Sequence, residues 1–356
     1  MTAEPQPSTT ERRSRSDRFL ATIEPFPSVV LVSHVNPDPD ALASMLGIGA
    51  LIKARQPGKP VTLTMDGMIA RAENQTMVDA LEIPVEPVEG VPLGRGEAVV
   101  MVDSQPHTGR RASEAAMPVA VLDHHETGGN LDGVLYLDLR PNLGATSTIV
   151  TGYRLEQEVP IGTRLATALL YGIESETLGY PREAAPSDDG ALIWLFPRAD
   201  KDLLARIRHP KLPQSYFATY QHALNNAFLY RDVVVCWCGE VPQPDIVAEL
   251  ADFFIRFEEV NWALSAGKFE NLLKLSLRCA RIGDHGGELL RAVVDGIGTA
   301  GGHDRRAGGA IPLKDEDPAT IERLLGEVRL RLFDRLEIVD REGKRLVKDP
   351  CINVDL

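Results

Sequence analysis

The sequence predicts an α/β protein: a doubly wound, mainly parallel sheet, then a smaller α+β domain, with a substrate cleft between the two. Three observations carry that prediction. Apolar runs alternate with helical stretches from residue 28 to about 180, the pattern of repeated strand–helix–strand units. Several runs end in carboxylates or imidazoles, as buried parallel strands do when they deliver polar groups to their carboxyl ends. Finally, 356 residues are too many for one ordinary core, and the texture changes after about residue 184. The expected division is a disordered tail at 1–16, a first domain at 17–184, a linker at 185–215 broken by Pro210 and Pro213, and a second domain at 216–356.

Each strand of the first domain introduces chemistry. SVVLVS (28–33) runs into His34-Val35-Asn36-Pro37-Asp38-Pro39-Asp40, and Ala41 to Lys53 then reads as a helix capped by Asp40 or a neighbour. His34, Asp38 and Asp40 converge only if this stiffened loop curls round a common point, and a divalent metal is the usual reason. VTLTMD (61–66) is the next strand, and a helix follows from about Asn74 to Leu81. AVVMVDSQ (98–105) carries Asp103 at its tip, and VAVL (119–122) leads into Asp123-His124-His125. A weaker strand, VLYLDL (134–139), precedes helices over about 144–155 and 161–171, the first opened by Gly144-Ala145-Thr146-Ser147-Thr148. The second of these runs into Glu174-Ser175-Glu176.

In the second half, helices are expected at 216–229 and 244–257 and strands at 232–238, 273–280 and 289–295. A Gly-rich loop spans Gly298 to Gly309, with His303, Arg305 and Arg306 placed to grip phosphate.

Composition narrows the function. Hydrophobic residues make up 44% and charged residues 25%, a globular profile. No apolar run approaches the roughly 20 residues of a membrane helix. The polar N-terminus lacks an apolar signal core, so a cytoplasmic location is expected. The formal charge of 38 − 51 = −13 disfavours long duplex nucleic acid but leaves room for a small phosphorylated substrate. Cys236, Cys238, Cys279 and Cys351 lack zinc-ribbon spacing and read as free thiols.

His34, Asp38, Asp40, Asp103, Asp123, His124, His125 and Glu176 thus fall at or just beyond element ends of one domain. Carboxylate-rich ligation with a few imidazoles suits Mn²⁺ or Mg²⁺ better than structural Zn²⁺, with Co²⁺ a further option. Two ions sharing one carboxylate would sit about 3.5–4 Å apart, and Asp103 is the natural bridge.

At HVNPDPDALAS, VVMVDSQ, LDHH, GIESET and GGHDRRAGG, in that order, the chain resembles the DHH phosphoesterase superfamily with its DHH-associated C-terminal domain. RAENQTM, DSQPHTG, GYPREAAPSD and KLSLR are most similar to the branch of nanoRNases and 3′-phosphoadenosine 5′-phosphate phosphatases. The resemblance implies one metal on His34, Asp38 and Asp103 and a second on Asp40, Asp103, His124 and the acid at 176. It implies that His125 faces the scissile phosphate and that Asp123 braces the histidines. It also implies that Gly301, Gly302, His303, Arg305 and Arg306 hold the far end of the substrate, with Arg278 as a further phosphate contact. The family usually has Asp where this chain has Glu176, whose extra methylene moves the carboxylate by roughly 1.5 Å. The sequence leaves open whether Glu174 or Glu176 points inward.

The expected function is Mn²⁺-dependent hydrolysis of short oligoribonucleotides or 3′-phosphoadenosine 5′-phosphate. The rivals are a cyclic-dinucleotide or linear-dinucleotide phosphodiesterase and a nucleotide-binding regulator with a decayed metal site. Homodimer formation is compatible with the sequence, and no membrane partner is expected.

Overall fold

The computed structural model describes residues 14–347 except 92, 94, 95, 107–116, 178–183, 282 and 303. The chain forms two compact units, Met1–Pro210 and Lys211–Leu356.

The first unit contains α1 (Arg15–Ile23), β1 (Val29–Val32), α2 (Pro39–Arg55), β2 (Val61–Met65), α3 (Ala72–Leu81), β3 (Val85–Pro87), β4 (Ala98–Val102), β5 (Ala120–Asp123), β6 (Tyr136–Leu139), α4 (Thr146–Glu156), α5 (Thr163–Thr177), α6 (Pro186–Leu195) and α7 (Lys201–Arg208). The strand order is β3-β2-β1-β4-β5-β6 and every pairing is parallel. The chain therefore winds outward from β1, returns, and continues from β4 in the other direction. That makes the β1/β4 boundary a topological switch point, where the carboxyl ends of the strands open a crevice. β1, β4 and β5 are buried along their whole length, which is why they read as unbroken apolar runs.

Alternate strand residues feed two clusters. Val29, Leu31, Leu63, Val100, Val102, Ala120 and Leu122 pack against side chains from α1–α7. Val30, Val32, Val99, Met101 and Val121 form the other face, where the described apolar neighbours are Val91, Leu93, Val134 and Leu139 from strand connections and β6. The doubly wound order is thus present, but the described helices collect on one face.

Most of the expected linker is helix. Leu195, Leu204 and Ile207 of α6 and α7 are buried in the first core, because this stretch keeps an apolar face despite its prolines. The expected tail also ends sooner: α1 begins at Arg15, held by a capping box between Ser14 and Asp17.

The second unit comprises α8 (Gln214–Asn225), β7 (Ala227–Tyr230), β8 (Val233–Glu240), α9 (Asp245–Phe254), β9 (Trp262–Phe269), β10 (Leu272–Cys279), α10 (Gly286–Val293), β11 (Thr299–Gly302), β12 (Arg306–Pro312), α11 (Pro318–Arg335) and β13 (Lys344–Arg345). Its mixed sheet runs β11-β12-β10-β9-β8-β7-β13. Two expectations change here. Residues 289–295 belong largely to α10, where Leu290 and Val293 face inward on a helical spacing that a short apolar run conceals. The Gly-rich stretch is a β-hairpin: Gly301 pairs with Gly308 and Gly302 with Ala307. Gly302 has φ 143°, and a Cβ there would lie 2.3 Å from the Arg306 carbonyl oxygen, so the hairpin requires glycine at this position.

Among the described residues no helix is long and apolar enough to cross a membrane.

Candidate metal centre

The polar residues at the carboxyl ends of β1, β4 and β5 come together at the switch point. Asp103, one residue past β4, occupies the centre. Its backbone takes the left-handed region at φ 57°, a conformation that costs a non-glycine residue roughly 1 kcal/mol and that collects at functional sites. The carboxylate is buried. His34 Nε2 lies 3.6 Å from Oδ2, while His124 Nε2 lies 3.5 Å from Oδ1. Two groups able to hold a cation consequently share Asp103: His34, Asp38 and Asp103 on one side, and Asp103, His124 and His125 on the other.

Each imidazole is fixed through its second nitrogen. His34 Nδ1 sits 3.0 Å from the Val35 carbonyl oxygen and His124 Nδ1 3.2 Å from that of Leu143. Nδ1–H donation to a carbonyl leaves Nε2 of both rings facing the carboxylates and able to ligate a cation. Leu143 is itself held by Arg140, whose N–H donates to the Asp123 carbonyl. Burial opposes a charge on His34, but the Asp103 and Asp38 carboxylates outweigh it and hold the imidazole well above its ordinary pKa. Asp38 is correspondingly held low by His34 against the effect of burial.

Asp38 and Asp40 act on helices as well as on the cluster. Asp38 caps α2, accepting the Ala41 N–H at 3.0 Å, and Pro39 opens the first turn. Asp40 is fully buried and accepts the N–H groups of Thr146 and Ser147, both at 2.7 Å. It thereby caps α4, whose own N-cap residue, Ala145, has no side chain able to do so. The Gly144–Thr148 stretch, read from the sequence as opening this helix, is thus capped by a carboxylate supplied from α2. Burial, then Asp103, Asp38 and Glu176, push the Asp40 carboxyl well above its ordinary range. Its Oδ2 is 3.9 Å from His124 Nε2.

Of the two acids in the last turn of α5, Glu176 adds to the upward push on Asp40. Glu174 is instead taken by Arg208 of α7, whose Nε donates to Oε2 at 3.1 Å. Asp123 braces one histidine: Oδ1 lies 2.8 Å from His125 Nδ1 and accepts the His125 backbone N–H, holding Asp123 low despite its burial. His124 leans on Leu143 instead, its ring centroid 4.3 Å from that of His125.

Two residues absent from the sequence-based site prove integral. The Gln105 side chain donates to Asp123 Oδ2 at 2.8 Å and to the Glu126 carbonyl at 3.1 Å, and its Oε1 accepts the Gly128 N–H at 2.8 Å. It binds the loop after β5 to the end of β4. Thr146 donates its hydroxyl to Asp103 Oδ1 at 2.8 Å. Both sit in quoted motifs, but only the fold shows what they reach.

Two of the residues expected to contact substrate from the second unit, Arg278 and Arg305, are engaged within that unit. Arg278 is buried and its guanidinium donates to Asp252, Ser276 Oγ and the Leu277 carbonyl. Arg305 donates to the carbonyls of Cys279 and Ala280. Arg306 opens β12 opposite Arg278, and Gly301 is an exposed hairpin position. His303 lies outside the described residues.

Residues 28–173 match the DHH family, N-terminal domain. The chain is 27% identical over 327 residues, 88% of its length, to the uncharacterised protein MJ1633 of Methanocaldococcus jannaschii. It is 24% identical over 161 residues, 45% of its length, to a probable bifunctional oligoribonuclease and PAP phosphatase, NrnA, of Streptococcus mutans. The chain spans 65% and 48%, respectively, of the lengths of these curated relatives. Among solved structures, an exopolyphosphatase-related protein from Bacteroides fragilis shares the fold, with TM-score 0.72, 17% identity, and coverage of 90% of this chain and 97% of that one.

Proposed function

We propose that this chain, whose residues 28–173 match the DHH family, N-terminal domain, hydrolyses phosphate esters of short nucleotides with two divalent cations, Mn²⁺ foremost. One observation carries the reading: Asp103 is shared between two separate groups of cation-capable side chains.

The donor set fits such ions. Buried carboxylates at Asp40 and Asp103 face Asp38 and Glu176, and the imidazoles are tautomerically fixed to offer Nε2. His34, Asp38 and Asp103 would hold one ion; Asp40, Asp103, His124 and Glu176 would hold the other. Bound there, divalent ions supply Lewis acidity toward phosphoryl oxygens and acidify water.

The remaining work falls to the chain. Gln105 and Asp123 orient His125, and Asp123 stabilises positive charge on its ring. With Nδ1–H given to Asp123, Nε2 is the atom placed to pass a proton to the leaving oxygen. The activity named for the S. mutans relative points to short oligoribonucleotides and 3′-phosphoadenosine 5′-phosphate as the first substrates to try.

The test is an assay of metal-free and Mn²⁺-loaded protein on short RNA, phosphoadenosine phosphate and cyclic dinucleotides. Mn²⁺-dependent turnover of the first two supports the proposal. Preferential turnover of the third selects the cyclic-dinucleotide reading. Nucleotide binding without turnover in either preparation replaces hydrolysis with a regulatory role.

A further inference from the structure

We propose that Asp188, on α6, is a positioning residue for the metal site and acts through the turn Leu143–Thr148. This rests on the metal-site reading above.

That turn meets the ligand cluster at four points. The Leu143 carbonyl lies 3.2 Å from His124 Nδ1, the Thr146 hydroxyl reaches Asp103 at 2.8 Å, and the N–H groups of Thr146 and Ser147 each reach Asp40 at 2.7 Å. A displacement of the turn therefore disturbs His124, Asp103 and Asp40 together. Asp188 holds it from behind. The side chain is fully buried, Oδ2 accepts the Gly144 N–H at 2.8 Å, and Oδ1 accepts the Thr148 hydroxyl at 2.5 Å. The two anchor points bracket Thr146 and Ser147, and Gly144 directly follows Leu143.

The same Oδ2 accepts the Ala185 N–H at 2.8 Å, completing the first turn of α6. Local capping accounts for that bond alone; the other two donors belong to the turn before α4 and to α4 itself. The contact is tight enough to dictate sequence. A Cβ at Gly144 would sit 2.5 Å from Thr177 Cγ2 and 3.0 Å from Asp188 Oδ2, and Thr177 directly follows the ligand candidate Glu176. Asp188 thus ties the start of α6 to the start of α4, beside the end of α5. Outer partners that orient ligands in this way commonly govern metal affinity.

The experiment is Mn²⁺ titration of the full chain by calorimetry, with thermal melting of the same samples. Asp188→Ala removes all three acceptor contacts and is expected to weaken Mn²⁺ binding roughly tenfold or more. Asp188→Asn keeps an oxygen for the two backbone N–H groups, and its amide can donate to Thr148, so affinity is expected to return to within about threefold of wild type. Leu204→Ala is the stability control, a buried residue of α7 without a bond to the turn. Its melting temperature should fall while its Mn²⁺ affinity stays at the wild-type value. Wild-type affinity in Asp188→Ala, or an equal loss in Leu204→Ala, overturns the proposal. If Asp188→Ala does not fold, Thr148→Val carries the test: weaker binding supports the role and unchanged binding overturns it. A wild-type chain that binds no Mn²⁺ removes the metal-site reading itself, and the positioning role with it.

Discussion

The Thr146 hydroxyl donates to Asp103 Oδ1 at 2.8 Å, and the same oxygen lies 3.5 Å from His124 Nε2. A helix-opening threonine is thereby coupled to the carboxylate at the centre of the site. Thr146→Val keeps the branched shape and removes the donor. Mn²⁺ affinity is expected to fall roughly tenfold, as for other outer partners of metal ligands, with little change in melting temperature. Calorimetric titration checks it.

The two acids of the last α5 turn have separable roles. Glu176→Gln should remove one cation from the saturated protein, because Glu176 is assigned to the second cation in the proposed function. Glu174→Gln should leave the cation count unchanged and lower stability by about 1 kcal/mol, since its half-exposed partner Arg208 is screened by solvent. Metal analysis after dialysis, paired with urea unfolding, separates these outcomes.

The motifs that place His34, Asp38, Asp103 and His124 were legible because apolar strand runs end abruptly in carboxylates and imidazoles, and a parallel sheet puts those ends side by side. What stayed hidden was long-range pairing. Gln105 reaches Asp123 across 18 residues, Thr146 reaches Asp103 across 43, and Asp188 reaches Gly144 across 44. Nothing local in the chain marks such partners. Arg278 shows the converse: its motif offers an arginine, but Asp252 of α9, 26 residues earlier, accepts its guanidinium. The hairpin of β11 and β12 was concealed by its glycines, which look the same in a loop and in a strand under close backbone approach.

A buried network away from the site sets an acid limit on stability. Asp138 on β6 accepts from Arg140 Nε at 2.9 Å, from the Tyr153 hydroxyl at 2.8 Å and from Arg15. Although burial works against it, these partners hold the carboxyl below its ordinary pKa, with Arg140 dominant. A depressed folded pKa contributes stability above the unfolded value of about 4, and that contribution disappears as pH falls through the folded value. Asp138→Asn should therefore cost about 2–3 kcal/mol at pH 7, and the gap from wild type should close below about pH 4. Urea unfolding across this range measures it.

The central claim is that Asp103 is shared by two cations. Anomalous diffraction at the manganese edge, from crystals grown in saturating Mn²⁺, tests it most directly. Two peaks flanking the Asp103 carboxylate, about 3.5–4 Å apart, are expected. A single peak, or peaks that do not touch Asp103, would contradict it.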